Sequence, residues 1–293
     1  MTARRLLSLV VVGAFALAAC ADDPPAAGGD GSPSPRPPVG ADEVVLRLSY
    51  EGGLVPAGFP LLDVPAFTLF GDGTVVSPGA QIEIYPGPAL PAIAARQVDG
   101  AAIRAIVERA QAAGLDGDDI ELDDTGDVAI ADASTAVFVL TVDGHTTTAE
   151  AYALGFEGDA AMPGLSDEER RVREDLAALA ADLTDLSWVI DAGGAVGPER
   201  PYEGDAARLL VGPVQEDPDL PQDAVAWPIE APLRSLGKPV SWDDRTRCAI
   251  VEGDDWLAVR AAAERANQLS PWTDGRTRRS IAFRPLLPDE ADC

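Results

Sequence analysis

His145 is the only histidine in the chain, so a Ser-His-Asp or Cys-His machine would have to be built around it. It follows Asp143-Gly144, a pair that marks a tight hairpin turn, where a side chain is wet and mobile rather than held between a nucleophile and a carboxylate. A single histidine and two cysteines that pair with each other cannot furnish the usual nitrogen and sulfur ligands of zinc. The densest polar stretch, residues 116–127, carries seven carboxylates in twelve positions, the oxygen chemistry that calcium favours. Its spacing departs from the EF-hand: counted from Asp118 or Asp119, the twelfth position is Ala129 or Ile130 and the sixth is never glycine. The stretch therefore reads as a solvated acidic loop between a helix and a strand, and no metal or cofactor is expected. Trp242 and Trp272 stand near aspartates, a combination that suits sugar stacking, although burial in a core is the commoner fate of tryptophan. Arg245, Arg247, Arg276, Arg278 and Arg279 form a basic cluster that would meet anionic lipid or wall polymer, or pair with the acidic body of the same chain; the second reading is favoured. The glycine-rich stretches lie in turns, without the strand-loop-helix setting of a phosphate or dinucleotide site.

Cysteine carries the clearest chemical signal. Residues 1–19 open with Arg4 and Arg5, continue through the uncharged run from Leu6 to Ala19, and are followed by Cys20. As a helix the run is about 21 Å long, short of the ~30 Å hydrocarbon core, so it reads as an export signal rather than a permanent span. Its end, Leu17-Ala18-Ala19-Cys20, resembles the lipobox of bacterial lipoproteins, which implies that Cys20 carries the lipid and anchors the protein to the membrane. Cys248 and Cys293 then remain in an oxidising space, where a disulfide is expected and two free thiols are the alternative. Closing that loop would contribute about 4 kcal/mol in the chain-entropy model and hold down a terminus that otherwise frays.

The chain has 293 residues, 46% hydrophobic and 24% charged, enough apolar material for a core. Its 49 acidic residues against 22 basic ones give a formal charge of -27, which argues against nucleic acid as a partner. Without residues 1–19 the balance is 20 basic to 49 acidic, or -29, and all of that excess lies before Arg234, because residues 234–293 hold ten of each sign. Residues 20–41, rich in proline and glycine and without hydrophobic periodicity, read as a disordered linker with a reach of about 25–30 Å.

The elements that must position these groups follow from periodicity. Val44–Tyr50 alternates as a half-buried strand. Pro65–Phe70 and Thr74–Val76 form a hairpin about Gly71-Asp72-Gly73, and Ala80–Tyr85 reads as a further short strand. Asp99 caps a helix with Ile103, Ile106, Val107 and Ala110 on one face, ending at Gly114. Ala136–Val142 and Thr146–Tyr152 make a second hairpin. Ser166 and Glu169 have capping-box spacing ahead of the stripe Val172, Leu176, Leu179, Leu183 and Leu186. Residues 191–204 form a Gly/Pro break, the best domain boundary. Beyond it strands are expected at 207–211, 224–227, 247–251 and 279–283, with a helix from Asp254 to Leu269. The fold class is α+β: mainly antiparallel sheets backed by helices, in two small packed domains, 42–195 and 196–293.

Phe67–Ala80 with its Gly-Asp-Gly turn, Asp132-Ala133-Ser134-Thr135, and the ending from Arg284 to Glu290 resemble lipoproteins of high-GC, actinobacterial type. That family carries no assigned activity, so the resemblance transfers no catalytic residue. The reading at this level is a lipid-anchored protein on the extracytoplasmic face of the cell membrane, non-catalytic, that binds an envelope protein or wall polymer. A carboxylate-based or calcium-assisted hydrolase of wall glycans is the first alternative, and a solute-binding lipoprotein the second.

Overall fold

Leu46 and Leu48 show how alternation becomes a sheet. Both are buried, and each faces a large apolar residue on either side: Leu69 and Leu140 flank Leu46, Phe67 and Phe138 flank Leu48. In the computed structural model, which describes residues 40–156, 163–214 and 217–293, this ladder is the centre of an eight-stranded sheet. Its strands are β1 (Val44–Gly52), β2 (Phe67–Phe70), β3 (Thr74–Pro78), β4 (Ile93–Gln97), β5 (Ile120–Leu122), β6 (Ser134–Val142), β7 (His145–Tyr152) and β8 (Arg200–Pro201). They lie in the order β5-β7-β6-β1-β2-β3-β4-β8, and all pairs are antiparallel except β5 with β7. The β6–β7 turn is the two residues Asp143 and Gly144, at φ +52° and +77°, the left-handed pair that a tight hairpin requires. At the β2–β3 turn Gly73 has φ +86°, and an added Cβ would stand 2.3 Å from the Val98 carbonyl oxygen, so no other residue fits.

Short α1 (Phe59–Leu62) precedes β2. Helices α2 (Gly100–Ala112), α3 (Asp167–Thr184) and α4 (Ser187–Asp191) share one core with the first sheet. Asp99 caps α2 by accepting from the Ala102 N–H at 2.8 Å, and a complete Ser166/Glu169 capping box starts α3. The apolar stripes expected of both helices are buried through Ile106, Val107, Leu176, Leu179 and Leu183. One buried member of α3 is not apolar: Arg173, 0% exposed, donates to the main-chain carbonyls of Tyr152, Leu122 and Asp124 at 2.6–2.9 Å.

The second sheet comprises β9 (Ala206–Gly212), β10 (Val225–Ala226), β11 (Lys238–Val240), β12 (Asp243–Glu252), β13 (Trp272–Thr273) and β14 (Arg278–Pro285), in the order β10-β13-β14-β9-β12-β11. Helix α5 (Gly253–Ala263) joins its core, where Trp272 meets Trp227 and Phe283 edge-on at 5.9 and 5.3 Å. The protein is thus an α+β fold with two mostly antiparallel sheets, each with its own core, and the described residues fall in a single compact unit.

Three local expectations need correction. Ala80–Tyr85 is not a strand: Ile82, Ile84 and Tyr85 are exposed and pair with no neighbour, while the strand expected there forms at β4. Ile93, Ala94 and Ala95 are all buried, so β4 shows no alternation by which to find it. The acidic loop is interrupted by β5, held by its parallel partner β7. Helix α5 stops at Ala263, six residues early, because the chain turns to pair with residues 87–89: Gln268 N–H bonds the Gly87 carbonyl and the Ala266 carbonyl accepts from Ala89.

Segment 191–204 has structure of its own. Val196 bridges to Val98, and β8 adds to the edge of the first sheet beside Ala94 and Ala95. The chain then passes directly into β9, so this stretch is the covalent hinge between the sheets.

Candidate functional site

Cys20, the leader 1–19 and nearly all of linker 20–41 lie outside the described residues. Among the described residues, no helix is long and apolar enough to cross a membrane. Cys248 on β12 and Cys293 are joined, with Cα atoms 5.8 Å apart. His145 is exposed at the start of β7. In the acidic loop, Asp119 accepts from the Thr148 N–H at 2.7 Å and Asp124 from Gly126 at 2.8 Å, so these carboxylates tie down backbone. Among the described residues no three His, Cys, Asp or Glu side chains gather as a metal would need. Trp272 is 0% exposed and cannot stack a sugar; Trp242 is exposed. Within the arginine cluster, Arg245 meets Asp243 two positions away, and Arg247 donates to the carbonyls of Leu236 and Gly237.

What the sequence reading missed is the final stretch, 286–293, a strap laid between the two sheets. Leu287 is buried against Phe70 and Val76 of the first sheet, and Asp289 takes both guanidinium nitrogens of Arg47 at 2.8–2.9 Å. On the second sheet, Glu290 pairs with the fully buried Arg284, and the Asp292 carbonyl accepts from Arg208. Arg208 and Arg284 thus sit under the strap, and burial together with the Arg284 charge lowers the pKa of Arg208 from its ordinary value. A pocket of about 440 Å³ opens beside them, lined by Asp63, Tyr50 and Phe59 as well; burial raises the Asp63 carboxyl above its ordinary pKa.

On the other side of the strap two hollows, of about 670 and 330 Å³, flank the hinge and share Arg200–Glu203 and Arg260 as a common wall. These dimensions fall within the roughly 300–1,000 Å³ usual for ligand sites. The smaller hollow is apolar at its base, with Leu90, Pro91, Ile93 and Trp256; the Trp256 indole N–H points back to the Glu203 and Gly204 carbonyls at 3.3 Å. The larger is bounded by Leu257, Leu286 and Leu287. Six carboxylates line the pair, from Asp42, Glu199, Glu203, Asp205, Glu264 and Glu290, against the two guanidinium groups of Arg200 and Arg260. Comparison with protein families, curated proteins and solved structures finds no match.

Tyr202 sits in the shared wall, its hydroxyl donating to the Leu286 carbonyl at 2.7 Å and so fastening the hinge to the strap. Burial first, then the charges of Asp205 and Glu290, push its pKa from 10.0 up to about 12. The unfolded chain releases this proton near the ordinary value, whereas the folded chain retains it. The contribution of Tyr202 to stability should therefore be constant below about pH 10 and be lost as pH rises toward about 12. Tyr202→Phe should be less stable by about 1 kcal/mol at neutral pH, from the lost hydrogen bond, and should show a shallower alkaline decline. Denaturant midpoints measured across that range read both effects; a Phe variant with an unchanged alkaline slope would place the titration elsewhere.

Proposed function

We propose that the chain is a lipid-anchored, non-catalytic binding module on the extracytoplasmic face of the membrane, taking its ligand in the crevice between the two sheets. The crevice carries this reading: two adjoining hollows of ligand size stand where hinge, strap and both sheets meet. The location is supported by the lipobox-like residues ending at Cys20, and by Cys248 and Cys293, whose bond suits an oxidising compartment. Such a tether would hold the folded part within a small domain's width of the bilayer, facing an envelope protein or wall polymer.

Two measurements decide it. Cys20→Ala should shift the protein from the membrane fraction to the soluble one, because a stable hold needs the lipid chains; a variant that stays bound is anchored by something else. Ala92 lines the smaller hollow, and Ala92→Trp should fill it and remove the partners captured by proximity labelling on intact cells, with folding unchanged. Partners retained by that variant would move the binding face away from the crevice. The carboxylates along the crevice favour one second reading, a glycan hydrolase, and release of reducing ends from purified wall by the mature protein, lost in Glu264→Gln, would establish it instead.

A further inference from the structure

We infer that the inter-sheet crevice takes a cationic peptide segment with apolar side chains between its basic ones, an inference that rests on the crevice being the binding site. Charge complementarity names the occupant. Arg260 is already engaged, by Glu203 and at 3.7 Å by Glu264, and Arg96 and Arg284 hold Glu199 and Glu290, whereas Asp42 and Asp205 make no ion pair among the described residues. The wall therefore offers unneutralised negative charge in a body whose export-processed charge is -29. A like-signed field of this kind draws cations toward a cleft and repels anions. Charge alone would equally suit a metal ion or a small polyamine. A metal lacks three converging donors among the described residues, and a polyamine has no side chains for the half-buried apolar lining at Leu90 and Pro91 or for the exposed Leu257.

The manner of binding follows from the edge strand. Residue β8 Pro201 has no N–H to give, so the free edge of the first sheet is a poor template for adding a strand. Recognition then rests on side chains: aliphatic stems of lysine or arginine lie on the apolar lining and their heads reach the carboxylates, as amphipathic side chains do at such boundaries.

The test uses a labelled synthetic peptide alternating lysine and leucine, with the mature chain at physiological salt. Its counterparts are a glutamate-leucine peptide and a lysine-only peptide. The lysine-leucine peptide should bind, the acidic one should not, and the lysine-only one should bind at least about tenfold more weakly. The double variant Asp205→Asn, Glu264→Gln should weaken binding about tenfold, while Asp116→Asn, Asp118→Asn, which removes the same charge from the exposed loop, should change it less than about twofold. All four positions are exposed, and thermal unfolding verifies that each variant folds. Failure of the lysine-leucine peptide to bind, equal binding of the acidic peptide, or equal losses in the two double variants overturns the inference. If Ala92→Trp still abolishes capture of surface partners while the peptide fails, only the cationic occupant falls and the binding module stands.

Discussion

Arg173→Leu should lower the unfolding free energy by about 3 kcal/mol and the melting temperature by roughly 6–12 °C, by scaling for a folded part of this size. The buried guanidinium holds three main-chain carbonyls, of Tyr152 at the end of β7, Leu122 at the end of β5, and Asp124 beyond it. Hydrogen bonds from a charged donor contribute more than neutral ones, and leucine leaves the acceptors without a partner. The effect has a location as well as a size. Strand β5 is three residues long and has β7 as its sheet neighbour, so amide exchange at 120–122 should accelerate more than in β1, which is paired on both sides. Arg173→Lys should recover only part of the loss, because an ammonium is a point donor that cannot fork across three acceptors. A leucine variant as stable as the parent would reduce Arg173 to a spectator.

The same residue marks the limit of what periodicity conveys. The stripe Leu176, Leu179 and Leu183 repeats at helical spacing because a helix must bury one face, and the capping box announces its start; both were legible. Arg173 lies one position after Val172 and reads as solvent-facing, since its burial depends on carbonyls delivered by an acidic loop 50 residues earlier in the chain. Hairpins were legible for the same local reason: Asp143-Gly144 and Gly73 dictate turns by backbone sterics alone. Strands β5, β8, β10 and β13 were not seen as such or were misjudged in length, being two or three residues each and defined by their partners rather than by any alternation. Ala80–Tyr85 shows the converse. It alternates like a strand, but the chain leaves β3 there and no neighbour offers hydrogen bonds, so pattern without a partner makes no sheet. The crevice belongs to this second class. Its walls come from residue 42, from 74 to 95, from 199 to 206, from α5 and from the strap, so no window of sequence contains it.

Cys293→Ser should lower stability by about 4 kcal/mol, since the bond to Cys248 closes a loop spanning 45 positions and removes that freedom from the unfolded chain. The native state should respond too. The bond secures the last residue of the strap, whose neighbour Asp292 accepts from Arg208 and whose Glu290 neutralises Arg284. With the end released, the strap should fray from 293 backward. Water should then reach Arg208 first, which is 9% exposed, and Arg284 last, which is 1% exposed and held by its own carboxylate. Amide exchange in the strap and in β9 would follow this order, and denaturant unfolding would give the total. A dithiol reductant should bring the parent down to the level of the serine variant and leave the variant itself unmoved. If reductant changes neither, the two sulfurs do not hold the strap. If both fall together, the reductant acts elsewhere. Because Leu286, Leu287 and Glu290 also bound the larger hollow, peptide affinity should decline with the same dose of reductant, which makes an oxidising compartment a condition for binding as well as for stability.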